Sequence, residues 1–147
     1  MAEEFDIFLS YQNSDHKWAN GLVRALAEKN LRVWHEATEI EAGDSFIEDI
    51  EEGLHNSAYF VVVITPESVG SNWIAAELGA ALAMKKPLIP IVSKDTRPEL
   101  LPGPIRRRKW LAMEDPNVVA EEIAKRVSVN TNRFRSGKDE STLCAAN

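Results

Sequence analysis

Two side chains one helical turn apart form the most informative pair in this chain. Trp73 and Glu77 lie in the alanine-rich segment Asn72-Trp-Ile-Ala-Ala-Glu-Leu-Gly-Ala-Ala-Leu82. At about 100° per residue they share one side of a predicted helix, so an indole and a carboxylate can line the same pocket. A carboxylate in a pocket can stabilise positive charge on a bound molecule. The bland alternative is a solvated glutamate that the helix macrodipole favours near an N-terminus, and the spacing alone leaves both interpretations open.

The helix follows a segment that positions it. Tyr59-Phe-Val-Val-Val-Ile64 is apolar at every position and ends at Thr65-Pro66. Such a strand is buried on both faces, as in parallel sheets. The loop beyond its carboxyl end therefore lies where open α/β sheets bind ligands. Along the helix, the predicted core stripe is Ile74, Leu78, Ala81 and Leu82, and the neighbouring strip is Trp73, Glu77, Ala80 and Met84.

Strands and helices alternate along the rest of the chain. Further strands are predicted at 5–9, 31–34, 87–92 and 109–111, and further helices begin after the cap Ser14-Asp15, at Ser45 and near 117. Pro90 suggests an edge or irregular position for its strand, and residues 93–108 are predicted as loop. The pattern predicts an α/β fold, a doubly wound sheet of five parallel strands flanked by helices.

Length and charge restrict the function classes. The 147 residues, 44% of them hydrophobic, suit one domain over 1–128, followed by a disordered tail or linker over 129–147. A net charge of −6 argues against nucleic-acid or anionic-membrane partners. The single cysteine, Cys144, fits a reducing compartment. Because no signal peptide or membrane span is visible, the expected location is cytoplasmic.

Several motifs that carry chemistry in such sheets are missing from the sequence. There is no phosphate-binding G-x-x-x-x-G-K-[ST] or G-x-G-x-x-G, and no G-x-S-x-G nucleophile elbow. A phosphate-accepting receiver would need acidic residues where Ser10-Tyr11 and Thr65-Pro66 stand. His16, His35 and His55 are far apart and lack metal-ligand spacing, so no metal site is predicted.

Five short segments, in order, resemble the conserved boxes of a TIR (Toll/interleukin-1 receptor) domain. They are Phe5-Asp-Ile-Phe-Leu-Ser-Tyr11, Val33-Trp-His-Glu36 leading into Ile40-Glu-Ala-Gly43, Phe60-Val-Val-Val-Ile64, Ser71-Asn-Trp73 with Glu77-Leu-Gly79, and Leu88-Ile-Pro-Ile91. The resemblance covers residues 4 to about 128 and implies a flavodoxin-like sheet. It also implies that residues 35–45 form the BB loop through which TIR domains associate, including His35, Glu39, Ile40, Glu41, Ala42, Gly43 and Asp44.

The resemblance implies a catalytic role for Glu77. Enzymatic TIR domains cleave NAD⁺ at the nicotinamide glycosidic bond and carry a glutamate in the helix after the third strand, and Trp73-x-x-x-Glu77 matches their spacing. NAD⁺ is then a substrate, with no cofactor or metal, and the product is linear or cyclic ADP-ribose. The implied substrate-binding residues are Ser10, Tyr11, Gln12, Glu36, Phe46 and Trp73. Some enzymatic members have arginine where Gln12 and Asn13 stand, which leaves phosphate contacts open.

Other TIR domains are interaction modules, so the second hypothesis is a non-catalytic adaptor that assembles through residues 35–45. A nucleoside or nucleotide transferase is a distant third. Under either of the first two hypotheses the expected partners are other TIR domains, as a homo-oligomer or filament, and a sensor domain in a longer parent chain. The implied setting is immune defence signalling. Core packing is the alternative role for Phe46 and Trp73, whereas Trp18, Trp34 and Trp110 are predicted to be structural.

Overall fold

Five parallel strands form the centre of the computed structural model, which describes residues 5–37, 53–69 and 72–127. The strands are β1 (Phe5–Tyr11), β2 (Val33–Ala37), β3 (Ser57–Ile64), β4 (Leu88–Val92) and β5 (Leu111–Ala112). Their order in the sheet is β2-β1-β3-β4-β5, and every neighbouring pair is parallel. This is the flavodoxin-like order, so the predicted sheet is confirmed.

Helices cover both faces of the sheet. They are α1 (His16–Glu28), α2 (helical at 53–55), α3 (Asn72–Ala83), α4 (Gly103–Arg106) and α5 (116–127), with 3₁₀ turns at Asn13–Asp15 and Pro98–Leu100. One core cluster joins buried residues of α1 and α5 to Ile7, Val61 and Ile91. The other joins residues of α2, α3 and α4 to Phe60 and Val62. The sheet is therefore doubly wound.

The packing of the central strand β3 explains why its sequence is apolar. Its residues alternate between the two clusters, with Val61 and Val63 on the α1 side and Phe60, Val62 and Ile64 on the α3 side. All five side chains have no exposed surface. Burying one such side chain stabilises the fold by about 1.5–3 kcal/mol, and a polar residue at any of these positions would enter the core.

Three strands are longer than the sequence predicts. β1 continues through Ser10 and Tyr11, β2 continues through His35 and Glu36, and β3 begins at Ser57. The second strand was predicted to end at 34, with His35 in the association loop. His35 instead lies in β2, and its part in association stays a prediction. Backbone pairing between β1 and β2 extends the two strands, with Leu9 opposite His35 and Ser10 opposite Glu36. Polar side chains do not interrupt a ladder whose bonds are made by the backbone.

The predicted loop at 93–108 contains two short helical turns, which corrects that prediction. Pro98 starts the 3₁₀ turn and Pro104 lies in the first turn of α4, where a missing N–H costs nothing. Leu101 and Ile105 are buried against the α3 side of the sheet and hold this segment in place. The following strand is shorter and later than predicted, at Leu111–Ala112 instead of 109–111.

The structure corrects the prediction for Leu82 and bears out the irregular of the two positions predicted for Pro90. Leu82 was assigned to the core stripe of α3, but its exposed fraction is 36%, and Ala80 and Met84 pack against the core instead. Pro90 lies in β4, which is not an edge strand. Val92 O accepts from Met113 N on the β5 side, and alternate residues of a strand face the same neighbour. Pro90 therefore faces β5, which pairs only with Ile91 and Val92.

Among the helices of the described residues, none combines the length and the apolar character needed to cross a bilayer.

Candidate functional site

The chain reverses its direction of winding at the carboxyl ends of β1 and β3. These strands are neighbours in the sheet, but the helix after β1 packs on one face and the helix after β3 on the other. The loops that follow these two strands border one stretch of the carboxyl edge, here called the crevice, and this is where doubly wound sheets bind ligands. Gln12 follows β1 and Thr65 follows β3, so the two loops that the sequence selected do meet here.

Ser10 and Tyr11 were predicted to follow the first strand. In the structure they are instead the last two residues of β1. Ser10 is opposite Val62 of β3, and it has no exposed surface. Tyr11 is also buried and belongs to the core cluster on the α1 side. The ladder holds both residues against the crevice edge. Their contact with substrate stays a prediction.

Gln12 is the first loop residue after β1, and its side chain is unusual. The residue is partly buried, and its Oε1 atom is enclosed without a hydrogen-bond donor within reach among the described residues. An enclosed acceptor without a donor costs about 1–3 kcal/mol. A ligand that supplies an N–H or O–H would remove that cost. Gln12 is therefore a described residue at the crevice whose side-chain oxygen can accept a hydrogen bond from a ligand.

Asp15 joins the two loops of the crevice. It is the N-cap residue of α1, as the sequence predicted, but its side chain makes no capping bond to that helix. Instead its Oδ2 accepts a hydrogen bond of 3.2 Å from Thr65 Oγ1, fifty residues later in the chain. Burial raises the pKa of the Asp15 carboxyl, the Thr65 hydrogen bond opposes this, and the charge of Glu67 raises the pKa further.

Thr65 organises the turn between β3 and α3. Its backbone N–H donates to Ser68 Oγ at 3.0 Å, and its carbonyl accepts from the N–H groups of Ser68 and Val69 at 3.0 and 2.9 Å. Thr65 and Ser68 are both buried. The turn is therefore held by reciprocal bonds within 65–69, and the Asp15 carboxylate ties it to the other loop.

Helix α3 follows this turn along the chain, and position 77 is in its first half. Leu78 and Ala81 are buried against the sheet, and Ala80 and Met84 pack beside them. Residues three, four and seven apart share one side of a helix. Position 77 therefore lies on the side of α3 that turns toward the sheet. The catalytic role of Glu77 stays a prediction.

Several predicted site residues fall outside what the structure describes. The side chains of His35, Glu36, Trp73 and Glu77 lie outside it, as do Phe46, the predicted loop residues Glu39, Ile40, Glu41, Ala42, Gly43 and Asp44, and the predicted tail at 129–147. The other tryptophans are structural as predicted. Trp18 Nε1 donates to Glu114 O at 2.8 Å, Trp34 stacks on Phe8, and Trp110 packs against the core.

Two cavities formed by described residues lie away from the crevice. One groove of about 370 Å³ is at the amino end of the sheet, between β3, β4 and α5. Another lies between the end of α1 and the start of β2. Neither is lined by a predicted site residue. Over 5–37, 53–69 and 72–127, no three histidine, cysteine or acidic side chains are grouped as metal ligands.

Sequence reasoning missed the roles of Asp15, Thr65 and Ser68. Asp15 was assigned to helix capping, and Thr65-Pro66 marked only the end of a strand. A hydrogen bond between residues fifty positions apart has no spacing signal. The available signal was the topology, because the carboxyl ends of β1 and β3 must be neighbours once the strand order is known.

Comparison with protein families settles the classification. The family model described as TIR domain matches residues 7–126. The chain belongs to the TIR-domain family. The match covers the whole described sheet except the start of β1, and it confirms the resemblance drawn from the five short segments.

Curated relatives with related sequences are prokaryotic TIR proteins. The chain is 33% identical over 104 residues to the 2' cyclic ADP-D-ribose synthase BtTIR of Bacteroides thetaiotaomicron, covering 67% of this chain and 36% of that protein. It is 28% identical over 133 residues to the 2' cyclic ADP-D-ribose synthase AbTIR of Acinetobacter baumannii, covering 87% and 45%. An NAD(+) hydrolase, TcpA of a Theionarchaea archaeon, is 32% identical over 105 residues, covering 66% and 31%. The chain thus spans less than half the length of these relatives.

Solved structures share the fold. The TIR domain of the Toll-related receptor TRR-2 from Hydra magnipapillata superposes with a TM-score of 0.67 at 20% identity, over 84% of this chain and 98% of that one. A metazoan TIR-STING receptor from C. gigas gives a TM-score of 0.70 at 19% identity, over 86% and 40%. At these identities the likeness concerns the fold alone.

Proposed function

We propose that this TIR domain cleaves NAD⁺ between nicotinamide and ribose, with Glu77 as the essential carboxylate. The observation that supports it most is the position of α3. This helix leaves the carboxyl edge of β3 at the winding reversal and turns position 77 toward the sheet. Relatives about 30% identical to this chain are named as enzymes of this chemistry, and a crevice at this edge is where the fold binds nucleotides.

The reaction breaks the bond between C1′ of the ribose and the pyridinium nitrogen. The bonding electron pair moves to that nitrogen, so nicotinamide leaves as a neutral molecule and needs no general acid. A ribosyl oxocarbenium ion remains. The Glu77 carboxylate stabilises this cation and accepts hydrogen bonds from ribose hydroxyls. Attack on C1′ by water, or by a hydroxyl of the same ADP-ribose, then releases a proton and gives a linear or cyclic product.

Other residues of the crevice bind the substrate in this proposal. Gln12 offers an acceptor to a hydroxyl or amino group of NAD⁺. Trp73, one turn before Glu77, provides an indole for stacking on a flat ring. Ser10 and Glu36, opposite each other in β1 and β2, border the same edge of the sheet. Tyr11 and Phe46 complete the set that the resemblance implied.

Association of several copies belongs to the same proposal. By the resemblance, residues 35–45, of which 35–37 lie in β2, correspond to the segment through which TIR domains contact one another, and a neighbouring copy can complete the site. The active form is then a homo-oligomer or filament. In a longer parent chain, a sensor domain would control its formation. The setting that we propose is an immune defence response.

The decisive experiment measures nicotinamide release from NAD⁺ at high protein concentration. Glu77→Gln keeps the size of the side chain and removes its charge, and we expect the rate to fall at least about 100-fold. Glu121→Gln is the matched control, because Glu121 is an exposed carboxylate on α5, on the opposite face of the sheet. It should retain the parental rate. Mass spectrometry of the products separates linear from cyclic ADP-ribose.

Three results would contradict the proposal. Equal rates for the parent and Glu77→Gln would remove Glu77 from the mechanism. An inactive parent that still assembles, and whose assembly Gly43 substitutions disrupt, would support the adaptor hypothesis instead. Base exchange with free nucleosides would identify a transferase.

A further inference from the structure

The side chain of Asp15 is used in an unexpected way. An aspartate at the N-cap normally accepts from the first free N–H groups of its own helix, and this bond stabilises the helix. Asp15 makes no such bond. Its carboxylate turns to Thr65 Oγ1 at 3.2 Å, in a partly buried position. In place of a capping bond within its own helix, the Asp15 carboxylate therefore forms a hydrogen bond that joins two loops.

The accepting end of this bond is fixed to β1 and α1. Asp15 closes a 3₁₀ turn in which its N–H donates to Gln12 O at 2.7 Å. Ala19 of the following helix is buried in the core. Asp15 therefore cannot move without disturbing the turn that also carries Gln12. The carboxylate is a fixed reference point at the edge of the crevice.

The donating end lies in the turn that precedes α3 along the chain. Thr65 is the first residue after β3, and through Ser68 and Val69 it shapes the turn that precedes α3. The hydroxyl proton of Thr65 has two acceptors in range, Asp15 Oδ2 at 3.2 Å and Ser68 Oγ at 3.4 Å. The Asp15 carboxylate is the charged one, and hydrogen bonds to charged groups are the stronger. It therefore holds Thr65 in the orientation that the turn needs.

We propose that Asp15 and Thr65 are positioning residues that set the placement of α3, and with it Glu77, relative to the Gln12 loop. This inference rests on the proposed function, because it describes how the site of that reaction is held in register. Neither residue contacts the reacting atoms. They contribute by preventing displacement of the catalytic carboxylate, because a shift of about 1 Å can slow a reaction by up to about 100-fold.

The test uses a double-mutant cycle on the full chain. Asp15→Ala and Thr65→Val each remove one partner, and each should lower kcat for nicotinamide release about tenfold with KM for NAD⁺ nearly unchanged. The double variant should be no slower than either single variant, because both break the same bond. Thr65→Ser keeps the donor and should stay within about twofold of the parent. Asp15→Asn keeps a neutral acceptor, which binds the hydroxyl less strongly, and its kcat should lie between those of the parent and Asp15→Ala.

Two outcomes of this cycle would overturn the inference. Rate losses that multiply to about 100-fold in the double variant would show that the residues act independently. Unchanged kcat in variants with lowered thermal midpoints would show a structural bond without influence on the site. The rescue by Thr65→Ser distinguishes the hydroxyl from the volume of the side chain.

A second measurement decides the inference if the parent protein releases no nicotinamide. In that case the proposed function fails. Amide hydrogen exchange can still measure whether the Asp15–Thr65 hydrogen bond stabilises the turn. The N–H groups of Ser68 and Val69 should exchange at least several-fold faster in Asp15→Ala and Thr65→Val than in the parent and Thr65→Ser. Equal exchange rates in all four proteins would exclude a role for the Asp15–Thr65 bond in holding the turn.

Discussion

Gln12 shows how one residue can be unfavourable for folding and useful for binding. Its enclosed Oε1 lacks a donor within the described part of the chain, and removal of such an acceptor by an apolar side chain of similar shape relieves the cost. We expect Gln12→Met to raise the free energy of unfolding by about 1 kcal/mol. Denaturation with urea measures this change. Lower stability of the variant would show that the amide is satisfied in the folded protein.

The same substitution should weaken substrate binding. A lost hydrogen bond of about 0.5–1.5 kcal/mol raises KM for NAD⁺ roughly 3- to 10-fold. The kcat value should stay nearly constant, because a group that binds substrate and transition state equally changes KM alone. A KM equal to that of the parent would place Gln12 outside the binding site.

Asp15 makes the stability of the fold depend on pH in a defined direction. Burial and the charge of Glu67 raise the pKa of the Asp15 carboxyl in the folded state. The folded protein therefore holds this proton more tightly than the unfolded chain. The resulting stabilisation is complete below the ordinary pKa of about 3.9 and is lost as the pH rises through the raised value.

Asp15→Asn isolates this contribution, because asparagine can still accept from Thr65 and does not titrate. We expect the variant to be more stable than the parent at pH 7. The difference should shrink as the pH falls toward about 4. Chemical denaturation of both proteins across this range provides the measurement, and other titrating groups cancel in the comparison. A parent that is the more stable protein at pH 7 would contradict the assigned direction.

At the scale of elements, the end of α2 must approach the sheet closely. A Cβ atom added at Gly53 would lie 2.5 Å from Phe8 Cε2 and 3.1 Å from Trp34 Cδ2. The Phe8 ring cannot easily retreat, because it stacks on Trp34 and meets Phe60 edge to face. Overpacking of this kind costs about 1–3 kcal/mol. We expect Gly53→Ala to lower the free energy of unfolding by that amount.

Gly79 provides the matched control within the same fold. It lies in α3 with no atom within 4 Å of an added Cβ, and alanine is favoured over glycine in a helix by about 0.5–1 kcal/mol. Gly79→Ala should therefore stabilise the protein. Equilibrium unfolding of the two variants gives opposite signs if close approach at Gly53 is the cause. A destabilising Gly79→Ala would show that α3 does not tolerate the substitution for other reasons.

Some elements could be predicted from the sequence much better than others. β3 was predicted to within two residues and α3 to within one, because β3 is apolar throughout and α3 is rich in alanine, the best helix former. The ends of β1 and β2 were missed, since backbone pairing extends through Ser10 and Glu36 regardless of polarity. The turns at 98–106 were missed because proline marks both loops and helix starts. For the site, Glu77 came from spacing and resemblance, whereas the Asp15–Thr65 bond required coordinates.

At the scale of the whole molecule, the residues that stabilise the fold and the residues of the proposed site lie in different places. The two core clusters fix the sheet from both faces, and the described crevice residues lie at its carboxyl edge. This arrangement suits a site that a second copy completes. The activity of the proposed enzyme should therefore depend on assembly.

Assembly of this chain must overcome repulsion between like charges. Each copy carries a net charge of −6, and the screening length is about 30 Å at 0.01 M salt and about 8 Å at 0.15 M. Repulsion between approaching copies should therefore weaken strongly over this range. We expect nicotinamide release per molecule to rise with protein concentration, and the concentration at half-maximal specific activity to fall several-fold as salt increases from 0.01 to 0.15 M.

The measurement is a dilution series of initial rates at each salt concentration, with light scattering on the same samples. Glu77→Gln is the control, because it should assemble at nearly the same concentrations without releasing nicotinamide. Rates strictly proportional to protein concentration would show that one copy forms the complete site. A half-maximal concentration that rises with salt would show that complementary charges at the contact outweigh the net repulsion, and that the acidic balance of the whole chain does not govern its assembly.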